Sequence, residues 1–204
     1  KESLSESKVI TGTKDAKRVK DIGIKIAKVA NRADFNWAFN LVQSDEVNAF
    51  CLPGGKVVVY TGILKVAHND DQLATVIAHE IAHALARHGA ERMSASMVQQ
   101  GLQVVGNIAL GATAPQYQNL FNQTYGIGSQ VGVMLPYGRM QESEADEIGI
   151  YLMAKAGYNP NEAIKFWENM SEGKKEGSDF LSTHPSSTTR INDLKIIISK
   201  LPRS

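Results

Sequence analysis

The stretch "TVIAHEIAHALARHG", residues 75–89, sets two histidines four apart around a glutamate in an otherwise apolar run. The chain holds only five histidines, so the clustering carries information. A buried imidazole or carboxylate without a partner is costly, and something must compensate the burial. Residues on a helix advance by about 100°, so two side chains four apart stand only about 40° from each other. His79 and His83 can therefore meet one ion. This is the H-E-x-x-H arrangement, in which neutral imidazoles suit zinc and the intervening Glu80 is a general base rather than a ligand. Ala78, Ile81, Ala82, Ala84, Leu85 and Ala86 would bury the same helix. His88 lies five residues past His83, about 140° away on a continuous helix, and is expected to point elsewhere.

A catalytic zinc needs a third protein ligand and one open position. The best supply is "RMQESEADEIG", residues 139–149. With Glu142 at the origin of a helical projection, Asp146 falls about 40° away, and Gly149, Leu152, Met153 and Ala156 fill the same half. Glu144, Glu147 and Lys155 land opposite. Two carboxylates on an apolar stripe are unusual, whereas a solvated acidic face is common. Glu142, not Glu144, is therefore the expected ligand. Asp146, one turn on, is placed to orient a histidine through its free ring N–H, with a simple salt bridge as the plainer alternative.

The rest of the chain frames this pair of helices. At 204 residues it is expected to form a single domain, 1–204, after a polar start over 1–10. Its 43% hydrophobic and 21% charged content allows a sizeable core. A formal net charge of +1 gives no electrostatic case for a nucleic-acid partner. The one cysteine, Cys51, excludes an internal disulfide and a cysteine-rich zinc module, and reads as a small strand hydrophobe. No apolar run of about 18 residues occurs, so no membrane span is expected. The N-terminus lacks the apolar core of a secretory signal.

The pattern predicts an α+β, mostly helical fold. "AKRVKDIGIKIAKVANRA" (16–33) repeats apolar residues at helical spacing, and residues 36–64 read as a small antiparallel sheet, with Pro53-Gly54 suiting a type II turn. The histidine helix is expected to start at an Asn69 or Asp70 cap and run to about Met93. Helix and then a Gly-rich segment should fill 94–135. A second ligand-bearing helix follows Pro136 and ends at Gly157. "NPNEAIKFWENM" (159–170) suggests a capping box from Asn159 and Glu162, and "RINDLKIIISKL" (190–201) a closing amphipathic helix. Trp37 and Trp167 read as packing residues, and His68 carries no functional reading.

Taken together, "AHEIAHALARHGAERMS" and "GRMQESEADEIG", preceded by "VNAFCLPGGKVVVYTGIL" and followed by "STHPSSTTRI", resemble peptidase family M48. The motifs span about residues 48 to 191 in the family's order. These are zinc metallopeptidases of the gluzincin kind, and the chain looks most similar to the soluble periplasmic outer-membrane-assembly and mitochondrial stress-protease branch. The resemblance implies a zincin-like fold, one Zn²⁺ held by His79, His83 and Glu142, Glu80 as base, and Asp146 behind the ligands. It adds His184 near the metal, as a cap on its open position or a substrate contact, and Arg190 as a partner of a buried acid. The membrane helices of the prenyl-protease and HtpX branches are missing from this chain, so their membrane substrates do not transfer. The downstream helical-repeat domain of some periplasmic relatives is also not in it.

The expected activity is metalloendopeptidase cleavage of extended or misassembled protein substrates, in the periplasm or cell envelope, with the cytoplasm as alternative. A peptide would pair with a strand edge from 48–60, around Asn48, Ala49 and Phe50. The segment 111–135 would be a lid, or equally a plain connection. The rival is a non-proteolytic chaperone or assembly module, its zinc structural or plugged by His184. Four protein ligands are how a structural zinc site looks.

Overall fold

A computed structural model describes residues 8–52, 54–88, 136–172 and 179–202. The elements in chain order are β1 (Val9–Ile10), α1 (Lys14–Ala30), β2 (Ala38–Val42), β3 (Ala49–Leu52), β4 (Lys56–Tyr60), a 3₁₀ turn (Thr61–Lys65), α2 (Asp70–Leu85), α3 (Arg139–Lys155), α4 (Glu162–Glu172), α5 (Asp179–Thr183) and α6 (Arg190–Ser199). Helix predominates around one small sheet, the α+β architecture expected. No helix among the described residues is long and apolar enough to cross a membrane. The proposed lid, 111–135, lies outside the described residues.

The sheet corrects one expectation. Its order is β1-β2-β4-β3, and while β1–β2 and β3–β4 are antiparallel, β2 and β4 run parallel. A simple antiparallel meander would have placed β3 in the middle. The continuous apolar run Val57-Val58-Val59 takes the interior position instead, with Val57 and Val59 fully buried, and among the described residues β3 is left at the edge. An unbroken apolar run suits a strand flanked on both sides. The β3–β4 turn places Gly54 at φ 93°, where the Gly55 N–H donates to the Leu52 carbonyl at 3.2 Å. Pro53 itself lies outside the described residues. Cys51, buried on β3, has its thiol pKa pushed up by burial and by the nearby Glu80, which makes it a packing group rather than a nucleophile.

Helix α2 crosses the core. Asn69 caps it, its side-chain oxygen accepting from the Gln72 N–H at 2.9 Å, and every residue from Gln72 to His83 is buried. The helix ends at Leu85 rather than near Met93. Arg87 takes a left-handed φ of 59°, which breaks the helical path. Helix α3 lies against α2, and Gly149 makes the approach possible. A Cβ there would stand 3.3 Å from the backbone of Ala78 and His79. The phase of α3 is the one read from sequence: Glu142, Ala145, Asp146, Gly149, Leu152 and Met153 face inward, and Glu144 and Glu147 face out.

Helix α4 departs from its expected cap. The Asn159 side chain accepts from the Asn161 N–H, but Glu162 does not return to the Asn159 N–H, which donates to Asp71 instead. Glu162 crosses to the start of α2 and accepts from Gln72 Nε2 at 2.8 Å and Asn69 Nδ2 at 3.1 Å, with Lys165 at 2.8 Å. Tertiary partners have outbid the local box. The hydrogen bonds from Lys165, Gln72 and Asn69 depress the Glu162 pKa from 4.5 to about 2. A carboxyl depressed in the folded state stabilises above its unfolded value, and that contribution is lost as pH falls from about 4.5 toward 2. Glu162→Gln should therefore lower the melting temperature at pH 6 to 7. The gap to wild type should close in thermal scans repeated toward pH 2; a gap independent of pH would contradict the linkage.

Candidate metal centre

Four side chains converge between α2, α3 and the end of α5. One donor atom each from His79, His83, Glu142 and His184 lies within 4.8 Å of all the others, and all four residues are buried. His79 and His83 come from adjacent turns of α2, as their spacing requires. Their Nε2 atoms are 3.1 Å apart. Glu142, in the first turn of α3, sets Oε1 at 2.9 Å from His83 Nε2 and Oε2 at 3.2 Å from His79 Nε2.

His184 arrives by a local device. Helix α5 is pinned to the start of β3 by the Phe180 N–H, which donates to the Val47 carbonyl at 2.9 Å. Its last turn closes with the His184 N–H on the Phe180 carbonyl at 2.8 Å, and Pro185 then blocks continuation. The imidazole stacks on Phe180, with ring centroids 4.2 Å apart, and its Nε2 lies 2.9 Å from Glu80 Oε1.

The donor set fits a divalent cation. Imidazole nitrogen and carboxylate oxygen are zinc-type donors, and lone pairs facing each other in a dry site repel unless an ion sits among them. Glu80 is fully buried, yet neither of its oxygens makes a hydrogen bond, and neither does His184 Nε2. Orphaned polar atoms of this kind in a packed interior call for a bound group.

Behind the donors each ring is held from outside. His79 Nδ1 lies 3.1 Å from Asp146 Oδ1, the contact expected of that residue. His184 Nδ1 is 3.0 Å from Thr183 Oγ1. Arg190, the first residue of α6, donates from Nη2 to both Glu142 Oε2 at 2.9 Å and Asp146 Oδ1 at 2.6 Å, and its guanidinium lies 3.4 Å from the ring centre of Trp167. Burial opposes charge on His79, but Glu142 and Asp146 outweigh it and raise its pKa to about 9. Burial drives His83 well below the ordinary imidazole value despite the Glu142 carboxylate beside its Nε2. Glu142 would rise on burial alone; His79 and His83 hold it far below the carboxylate range.

Sequence reasoning missed three neighbours. His88 does not point elsewhere: the left-handed turn at Arg87 brings its Nδ1 to 2.9 Å from His83 Nδ1. Glu144, read as merely solvated, binds His88 Nε2 at 2.9 Å. Tyr137 stacks on the His83 ring at 3.6 Å between centroids, and no spacing signal announces it. The substrate-binding candidates fall on the edge strand. Asn48 immediately precedes β3, and its carbonyl accepts from the Tyr60 N–H. The Ala49 side chain is fully buried and faces the core, so only its backbone is at the edge, while Phe50 packs edge-on against Tyr60.

Comparison with known proteins finds relatives that cover most of this chain. The mitochondrial metalloendopeptidase OMA1 of Schizosaccharomyces pombe is 37% identical over 174 residues, covering 84% of this chain and 49% of that protein. Its namesake in Saccharomyces cerevisiae is 39% identical over 167 residues, covering 78% and 46%. The beta-barrel assembly-enhancing protease of Escherichia coli is 31% identical over 185 residues, covering 87% and 37%. The chain thus spans half or less of the length of these curated relatives. A family model described as "Peptidase family M48" matches residues 13–198, from the cap of α1 through nearly all of α6. On a match of that extent, the chain belongs to peptidase family M48.

Proposed function

We propose that the chain is the catalytic part of a zinc metalloendopeptidase that cleaves extended segments of unfolded or misassembled proteins. The observation that carries this reading is the buried donor cluster beside a fully buried glutamate whose oxygens make no hydrogen bond and whose Oε1 faces only His184 Nε2, at 2.9 Å. His79, His83 and Glu142 would hold the ion, which as a Lewis acid would polarise the scissile carbonyl. Glu80 follows His79 directly on α2, so its carboxylate reaches the site from the side without joining the donor set. It would accept a proton from the attacking water and return it to the leaving amine. Asp146 would keep the His79 ring oriented with Nε2 inward.

The substrate would enter along β3. In the antiparallel pairing with β4, Tyr60 N–H bonds the Asn48 carbonyl, so alternation turns the main-chain groups of Ala49 and Cys51 toward the outer edge. An extended peptide can add there as a further strand, with main-chain bonds that tolerate many sequences. Such tolerance suits unfolded protein. The names of the relatives, metalloendopeptidases of mitochondria and a protease enhancing β-barrel assembly, support protein quality control at a cell envelope.

The position of His184 favours one rival reading, a site closed by four protein donors. We take His184 instead as a group that touches the reacting atoms, because its Nε2 faces Glu80. As a donor to the developing oxyanion it would be worth about 10²–10³ in kcat.

Three substitutions test these assignments. Glu80→Gln should reduce peptide hydrolysis by about 10²–10⁴ while leaving one zinc per chain by metal analysis; undiminished turnover would refute the base. Glu142→Ala should empty the site, with circular dichroism checking that the fold persists. His184→Ala should lower kcat on a quenched peptide by about 10²–10³, whereas a rise would identify His184 as a plug and favour the assembly-module reading.

A further inference from the structure

We propose that His88 and Glu144 form a positioning relay that fixes the His83 ring and aims its Nε2 into the donor cluster, an inference that rests on the metal-centre reading above. Neither residue belongs to the donor set. Both nonetheless point at it in series: Glu144 Oε2 is 2.9 Å from His88 Nε2, and His88 Nδ1 is 2.9 Å from His83 Nδ1.

The direction of the bonds follows from what each group can do. A carboxylate only accepts, so His88 Nε2–H donates to Glu144. A neutral His88 then has only a lone pair left at Nδ1, and His83 Nδ1–H must donate to it. The His83 ring is left with its Nε2 lone pair facing His79 Nε2 at 3.1 Å and Glu142 Oε1 at 2.9 Å. The relay therefore selects the tautomer that can bind a cation from the side where the other donors converge.

The fold bears two costs to make this chain of bonds. Arg87, a non-glycine residue, adopts a left-handed φ of 59°, and His88 is buried to 1% exposure. A residue that only left the helix end needs neither. The arrangement also parallels the treatment of the other α2 histidine: Asp146 Oδ1 faces His79 Nδ1 directly at 3.1 Å. For His83 the carboxylate acts through an interposed imidazole, and it stands at the surface, the Glu144 side chain being 57% exposed. One ligand is thus oriented from the core and the other from solvent.

The test is zinc affinity, measured by competition with a chromophoric chelator, on wild type, His88→Ala, His88→Gln and Glu144→Ala. Wild type should bind one zinc per chain, and His88→Ala and Glu144→Ala should each weaken it by about 10–100-fold. His88→Gln should recover most of the loss, because the amide oxygen can accept from His83 and the amide nitrogen donate to Glu144. A merely structural role for the turn would show no such rescue. Long-range ¹H–¹⁵N spectra of the zinc-loaded protein should show His83 protonated at Nδ1; coordination through Nδ1 would overturn the relay. So would unchanged affinity in both alanine variants. Should His88→Ala fail to fold, Glu144→Ala decides alone, since its side chain is largely exposed. A wild-type protein that binds no zinc would instead remove the metal-centre reading itself, and the relay with it.

Discussion

The structure turns on one electrostatic constraint: imidazole and carboxylate lone pairs aimed at a common point inside a dry helix interface. Two turns of α2 supply His79 and His83, and the first turn of α3 supplies Glu142. Left alone, such a cluster is unfavourable, since low surrounding polarity strengthens repulsion as readily as attraction. One shared proton can relieve part of it, as the raised pKa of His79 indicates. It does nothing for Glu80 and His184, whose facing atoms make no hydrogen bonds. A cation among the donors resolves the conflict, and much of the surrounding fold holds the donors against relaxing away from it.

That holding is done from several elements rather than one. Phe180 and Tyr137 stack on His184 and His83, Trp167 meets His79 edge-on, and Asp146, Thr183 and His88 each engage an outer ring nitrogen. Helix α2 alone could set the spacing of two imidazoles but not their rotation. Rotation decides whether Nε2 faces the ion, and it is fixed by partners from α3, α5 and the turn after α2. Gly149 permits this by letting α3 approach the backbone of His79 closely. Packing and site geometry are here the same property of the α2–α3 interface.

Local periodicity made parts of this legible and hid others. The inward face of α3 was readable because two acids shared a stripe with Gly149, Leu152 and Met153, and a helix cannot present them otherwise. The Asn69 cap and the Gly54 turn were readable from residue chemistry. Strand order was not: alternation says which face a residue takes, not which neighbour a strand chooses, so the parallel β2–β4 pair went unseen. The end of α2 was hidden because Arg87 is not a residue type that announces a left-handed turn, and His88 was misplaced with it. His184 became a candidate only through the family resemblance. A histidine before a proline in a loop has no periodicity to show where it points.

Charge balance gives a further reason for Arg190 to be an arginine. Glu142 and Asp146 are buried together, and Arg190 contacts both. Lysine would match the charge but not the geometry. A planar guanidinium can bridge two carboxylates from one nitrogen while sitting over an indole, as Arg190 does over Trp167 at 3.4 Å from the ring centre. Its weaker hydration also makes its burial less costly than that of an ammonium. Arg190 bonds the Glu142 oxygen facing His79, while the other oxygen faces His83. The carboxylate is therefore held at both ends, and the ligand that the sequence supplies from farthest along the chain after α2 is as tightly oriented as the two that α2 supplies itself.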